Sequence, residues 1–104
     1  MSKNPVIFAM ANPVPEIMPE EAILAGAAVI ATGRSDFPNQ VNNALAFPGI
    51  FRGALDNKVV KITDRHKIDT AKAIANLVDK PSSEYIIPSV LDKRLVSEIA
   101  KVII

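Results

Sequence analysis

The sequence predicts an α/β fold, an incomplete parallel sheet flanked by helices, on three observations. Two short runs, "PVIFAM" and "AAVIAT", are apolar and β-branched throughout instead of alternating, the pattern of strands covered on both faces. The stretch between them carries helix signals and is long enough for the crossover that a parallel pair requires. The rest of the 104 residues shows helical spacing of apolar side chains.

In order along the chain, "PVIFAM" contains no turn former after its first residue and stops at "ANPVP", where two prolines in three residues forbid continued pairing. "MPEEAILAG" then reads as a short helix. Pro19 suits its first turn, Glu20 and Glu21 complement the positive end of the helix dipole, and Gly26 ends it. "AAVIAT" is the second strand and halts at Gly33. Residues 6–32 are thus strand, helix, strand, a unit whose natural home is a doubly wound, Rossmann-type sheet. Residues 41–55 look helical with an interruption at "FPG", as two short helices or one bent one. Asp64 is placed to cap a helix whose buried stripe is Ile68, Ala71, Ala75 and Val78, widened by Ile74 and Leu77. "DKPSSEYIIPSV" reads as a loop held down by an apolar patch. Asp92 opens a last helix with Leu95, Val96, Ile99, Val102 and Ile103 on one side, and the closing "VII" is expected to pack on something.

Two strands are too few for an α/β sheet, since three or more are needed for independent stability. The chain therefore reads as the C-terminal portion, residues 1–104, of a larger Rossmann-type domain. It lacks the G-x-G-x-x-G that grips a pyrophosphate.

Bulk properties narrow the function. Twelve basic residues nearly balance eleven acidic ones, and the four Phe and one Tyr do not interleave with Lys and Arg, so nothing points to nucleic acid. No apolar run approaches the length of a membrane span, and the first six apolar residues are too few for a signal peptide. The absence of cysteine excludes disulfides and thiolate metal sites. A cytoplasmic setting is the default expectation.

Chemistry could sit at three places. Asn12 of "ANP" falls at the carboxyl end of the first strand, where open α/β sheets bind ligands, or it simply opens an Asn-Pro turn. In "NQVNN", one of Asn39, Asn42 and Asn43 is suited to cap the next helix. Alternatively, their carboxamides read the oxygens of a polar ligand without adding charge. Arg34 and Asp36 of "GRSD" read either as an anion clamp or as a local ion pair. His66, the single histidine, lies between Arg65 and Lys67 and reads as solvated. No Ser/His/Asp set and no metal-spaced cluster appears, so no catalytic apparatus is evident.

Three blocks carry a resemblance. "PVIFAMANPVPEIMPEEA", "AGAAVIATGRSDFPNQVNNALAFPGIFRGALD" and "IIPSVLDKRLVSEIAKVI" closely resemble the C-terminal half of the dinucleotide-binding domain of bacterial-type malic enzymes, over nearly the whole chain. The resemblance implies oxidation of malate by NAD or NADP, loss of CO2 from the oxaloacetate formed with help from Mg2+ or Mn2+, and protonation of the enol to pyruvate. It implies that Asn12, and Asn43 with Asn42 as its neighbour, contact malate or the nicotinamide end of the cofactor. It also puts the family's tyrosine acid, lysine base, acidic metal ligands and glycine-rich loop upstream, so Tyr85 and the lysines here take none of those roles. The expectation is an enzyme fragment, inactive alone, that pairs with the missing N-terminal part and forms a homo-oligomer. The alternative is a non-catalytic remnant or assembly module; another Rossmann-type dehydrogenase with similar strand-end asparagines is a third reading.

Overall fold

The structure is a computed structural model and describes residues 1–104 throughout. Two strands, β1 (Val6–Ala9) and β2 (Val29–Thr32), pair in parallel, with Val6 opposite Val29 and Ala9 opposite Thr32. The helix α1 (Pro19–Leu24) makes the crossover. Pro19 stands at its start, Glu20 and Glu21 in its first turn, and Gly26 takes φ +106°, a conformation open chiefly to glycine. One face of this unit is a small apolar core of Ala9, Ala22, Ala27 and Ile30, with Ile7 and Ile17 against it.

The other face of β1 departs from the expectation of cover on both sides. Val6 and Phe8 alternate outward with Met10 beyond the strand end, all three half exposed or more. Within these 104 residues only the α1 side of β1 is packed. The far edge of β2, by contrast, is occupied: Gln40 forms a parallel bridge with Thr32, and the Val41 N–H donates to the Thr32 carbonyl at 2.7 Å. A short segment thus stands where a third strand would lie.

The second half is helical. A single 3₁₀ turn (Asn43–Leu45) leads into α2 (Phe47–Asn57), followed by α3 (Asp64–Asn76) and α4 (Arg94–Ala100). The "FPG" interruption is a helix start: Pro48 sits in the first turn of α2, where its missing N–H costs nothing. A core of Leu45, Ile50, Leu77, Leu95, Ile99 and Ile103 joins these helices. Ile103 of the closing "VII" is fully buried, as its apolar character requires. In the 81–90 loop, Ile87 and Val90 pack on this core and Pro88 is fully buried.

Helix α3 differs from its sequence reading in two ways. Its cap is Thr63, not Asp64: the Thr63 hydroxyl accepts from the His66 N–H while His66 Nδ1 accepts from the Thr63 N–H. This is a capping box with imidazole in the usual Glu or Gln position. His66 is therefore buried rather than solvated, and its Nε2 donates to the Ile104 carbonyl at 3.0 Å. The buried face accordingly runs His66, Thr70, Leu77, with Ala73 and Ile74 half-buried, whereas Ile68, Ala71 and Ala75 face solvent. The helix is rotated from the simple apolar stripe because the capping box and the Thr70 hydroxyl, which donates to the His66 carbonyl, make polar atoms acceptable inside.

The start of α4 carries a pH-dependent contact. Asp92 accepts from the Arg94 N–H at 2.9 Å and pairs with its guanidinium at 2.7 and 3.0 Å. The Arg94 guanidinium, and then its backbone N–H, hold the Asp92 carboxyl well below the usual carboxylate range, at about 2. A carboxyl depressed on folding adds stability above its unfolded value of 3.8, and that contribution is lost as pH falls toward about 2. Asp92→Asn keeps an oxygen for the Arg94 N–H but loses the charge. We expect its denaturation midpoint to fall less steeply than the parent's between about pH 4 and about pH 2. Parallel midpoint curves for the two proteins would refute the assignment.

Candidate functional site

Both strands deliver their carboxyl ends to one side of the molecule. Asn12 lies three residues beyond the end of β1, and Gly33 follows β2 directly. The polypeptide then turns through residues 34–41 and returns along β2, bringing Asn42 and Asn43 to the same place. Asn12, Asn42 and Asn43 share one open cleft of about 450 Å³, with Met10, Leu45 and Ile87 among its apolar walls. All three carboxamides face solvent.

The three amides are not equivalent. Asn42 caps the 3₁₀ turn, its Oδ1 accepting from the Ala44 N–H at 2.9 Å. Asn43 is the first residue of that turn, and neither its side chain nor that of Asn12 makes a hydrogen bond within the chain. Their donors and acceptors are thus available to a ligand. The Asn12–Pro13 peptide bond is cis. Glu16 braces this loop, accepting from the Ala11 N–H at 2.9 Å, a bond that holds its carboxyl below the ordinary value. Gly33 lies close against Asn12. A Cβ at position 33 would stand 3.0 Å from Asn12 Oδ1, tight enough to push the carboxamide aside.

The cleft contains no ionisable side chain. It can therefore orient a ligand through amides and apolar contact, and it offers no group to take up a proton. No three His, Cys, Asp or Glu side chains converge as a metal-ligand set. Arg34 is committed to Asp36 through two bonds of 2.7 and 2.9 Å and lies over the Phe37 ring at 5.4 Å. The pairing keeps the Asp36 carboxyl below its usual value, so "GRSD" is a local ion pair and not an open clamp. His66 serves the cap of α3, and Glu20 and Glu21 serve the start of α1.

Sequence reasoning took Asn39 for one of three possible caps, and the structure gives it other work. Asn39 is buried and has φ +59°, with its Nδ2 donating to the carbonyls of Ile30 and Ser83 and its Oδ1 accepting from the Ile86 N–H. An asparagine directly after Phe37-Pro38 was the available signal, since Asn tolerates the left-handed region better than most residues. The partners 44 and 47 residues away carried no signal at all.

Across residues 1–104 the chain matches the family model described as malic enzyme, NAD binding domain. The chain belongs to the malic enzyme family. It is 60% identical over 105 residues to the bifunctional malic/malolactic enzyme of Bacillus subtilis, covering 99% of this chain and 26% of that protein. It is 51% identical to the NADP-dependent malic enzyme of Rhizobium meliloti, covering 95% of this chain and 15% of that one. The solved structure of the malic enzyme from Pyrococcus horikoshii Ot3 superposes with a TM-score of 0.95 at 55% identity, over 99% of this chain and 24% of that one. The chain therefore spans about a quarter or less of the malic enzymes it matches. The resemblance read from "ATGRSDFPNQVNN" and "FPGIFRGALD" is borne out, and with it the Rossmann-type class of the two parallel strands and their flanking helices. No helix of the chain is long and apolar enough to cross a membrane.

Proposed function

We propose that this chain forms one wall of a malate-oxidising site, the C-terminal portion of an NAD- or NADP-binding domain in an oxidatively decarboxylating malic enzyme. The observation that carries the reading is the convergence of Asn12 and Asn43, both without partners in the chain, in one cleft at the carboxyl ends of the parallel strands. The nicotinamide, when bound, supplies the hydride acceptor for oxidation of the malate hydroxyl. Asn12 and Asn43 hold the dicarboxylate and the nicotinamide end in register, and Asn42 fixes the turn that presents Asn43. Orientation of this kind is a large catalytic term in its own right. The amides do so without adding charge beside groups whose charge is met elsewhere. No side chain set here fits Mg2+ or Mn2+, so no step runs through a metal on these residues. The partner in this reading is the upstream part of the enzyme. Self-association into a homo-oligomer and a cytoplasmic setting belong to the same reading.

The test is co-expression of this chain with the upstream part of a malic enzyme. Restored conversion of malate to pyruvate is expected, together with a loss of about tenfold to a hundredfold in kcat/KM for Asn12→Ala and for Asn43→Ala. Failure to restore turnover, or full activity in both variants, removes this reading. It would leave the alternative, a non-catalytic remnant or assembly module, which draws on the exposed Val6, Phe8 and Met10.

A further inference from the structure

The buried Asn39 has no capping role and does not line the cleft of Asn12 and Asn43, yet its one carboxamide meets three separate segments. Its Nδ2 donates to the Ile30 carbonyl of β2 at 3.1 Å and to the Ser83 carbonyl at 2.9 Å, while its Oδ1 accepts from the Ile86 N–H at 2.9 Å. The Ile30 carbonyl has the same parity along β2 as that of Thr32, which points away from β1 and accepts from the Val41 N–H. Asn39 and Val41 thus satisfy the two outward carbonyls of β2 in place of a neighbouring strand. Position 39 also takes φ +59°, so the chain reverses there into Gln40, whose Nε2 donates weakly to the Gly33 carbonyl at 3.4 Å.

Each of these three segments runs directly into residues that line the cleft. β2 leads into Gly33, which abuts Asn12; residues 39–41 lead into Asn42 and Asn43; the 83–86 segment leads into Ile87. We infer that Asn39 is a positioning residue for the malate site, setting where Asn43 stands relative to Asn12 by pinning the loop to β2 and to the 83–86 segment at once. This rests on the site reading given above. A carboxamide suits the task because only it offers two donors and an acceptor in one small plane at a left-handed backbone position. Aspartate keeps the acceptor but turns a carboxylate oxygen toward two carbonyls. Glycine keeps the backbone and loses all three bonds.

The experiment is a double-mutant cycle in the co-assembled enzyme, with Asn39→Gly and Asn39→Asp each made in the parent and in the Asn43→Ala background. If Asn39 acts through Asn43, either substitution lowers kcat by about tenfold to a hundredfold in the parent and less than about threefold once Asn43 is truncated. A merely structural residue gives the same factor in both backgrounds, and that additive result overturns the inference. So does unchanged kcat in both Asn39 variants while Asn43→Ala is impaired. Full activity of Asn43→Ala instead removes the site reading on which the inference stands. Should one Asn39 variant fail to assemble, the other completes the cycle; failure of both to assemble would assign Asn39 to the fold alone and overturn the positioning role.

Discussion

The purified 104-residue chain is expected to show no malate-dependent reduction of NAD or NADP, with Mn2+ or without it. The physical reason lies in the cleft lining. Oxidising an alcohol requires that its hydroxyl proton leave as the hydride does, and a positioned base typically contributes about a hundredfold to ten-thousandfold to such a step. Around Asn12, Asn42 and Asn43 the structure places amides, apolar side chains and a glycine, with no ionisable group among them. The nearest charged pair in sequence, Arg34 and Asp36, is closed on itself by two bonds. His66, whose ordinary chemistry would suit a base, is buried with both ring nitrogens engaged by Thr63 and Ile104. Orientation without proton transfer is expected to give no turnover, whatever the cleft holds. Turnover by the isolated chain above the buffer background, abolished by Asn43→Ala, would show that a base had been overlooked.

How much of this was legible in the sequence depended on how local the deciding contact is. The strand–helix–strand unit was readable because Pro19, Gly26 and the two β-branched runs act within a few residues of themselves. The place of Asn12 was readable for the same reason, since "ANP" closes the first apolar run and the topological rule for parallel sheets puts ligands at that end. That "VNN" joins it there was implied by the family resemblance and not by local pattern. Contacts that span the chain were not readable. The three partners of Asn39 lie 9, 44 and 47 residues away, and nothing near position 39 announces them. His66 misled in a different manner. Flanking charges suggest solvent, but charged neighbours on a helix point to other faces, and Thr63 three residues earlier could have signalled the cap. The rotated face of α3 followed from that error, since apolar periodicity ranks Ile68 above Thr70, whereas the structure exposes Ile68 at 56% and buries Thr70 at 3%.

Gly53→Ala is expected to destabilise the helical half of the chain by about 1 to 3 kcal/mol, read as a lower midpoint in denaturant unfolding. Two effects oppose each other. Alanine in place of glycine inside a helix gains up to about 1 kcal/mol from backbone entropy and propensity, which favours the variant. Against it stands the packing of α2 on α4. A Cβ at position 53 would lie 2.7 Å from Ile103 Cβ, 2.8 Å from the Ala100 carbonyl oxygen and 2.9 Å from Ala100 Cα. Two of these three are backbone atoms, so no rotamer change relieves them, and the helices must separate by several tenths of an ångström. That gap forfeits a sizeable share of each contact between Ile50, Leu95, Ile99 and Ile103, a core in which Ile99 and Ile103 are fully buried. The overlap therefore wins over the propensity gain. Gly49→Ala belongs to the same seam, one turn earlier, with Ile99 Cβ at 2.6 Å. Ile99→Ala cannot rescue it, because the clashing Cβ survives the truncation. Leu55→Ala, two residues on from Gly53 but 79% exposed, supplies the control and should move the midpoint by less than about 0.5 kcal/mol. If Gly53→Ala instead matched or exceeded the parent in stability, the close approach of α2 and α4 would be wrong.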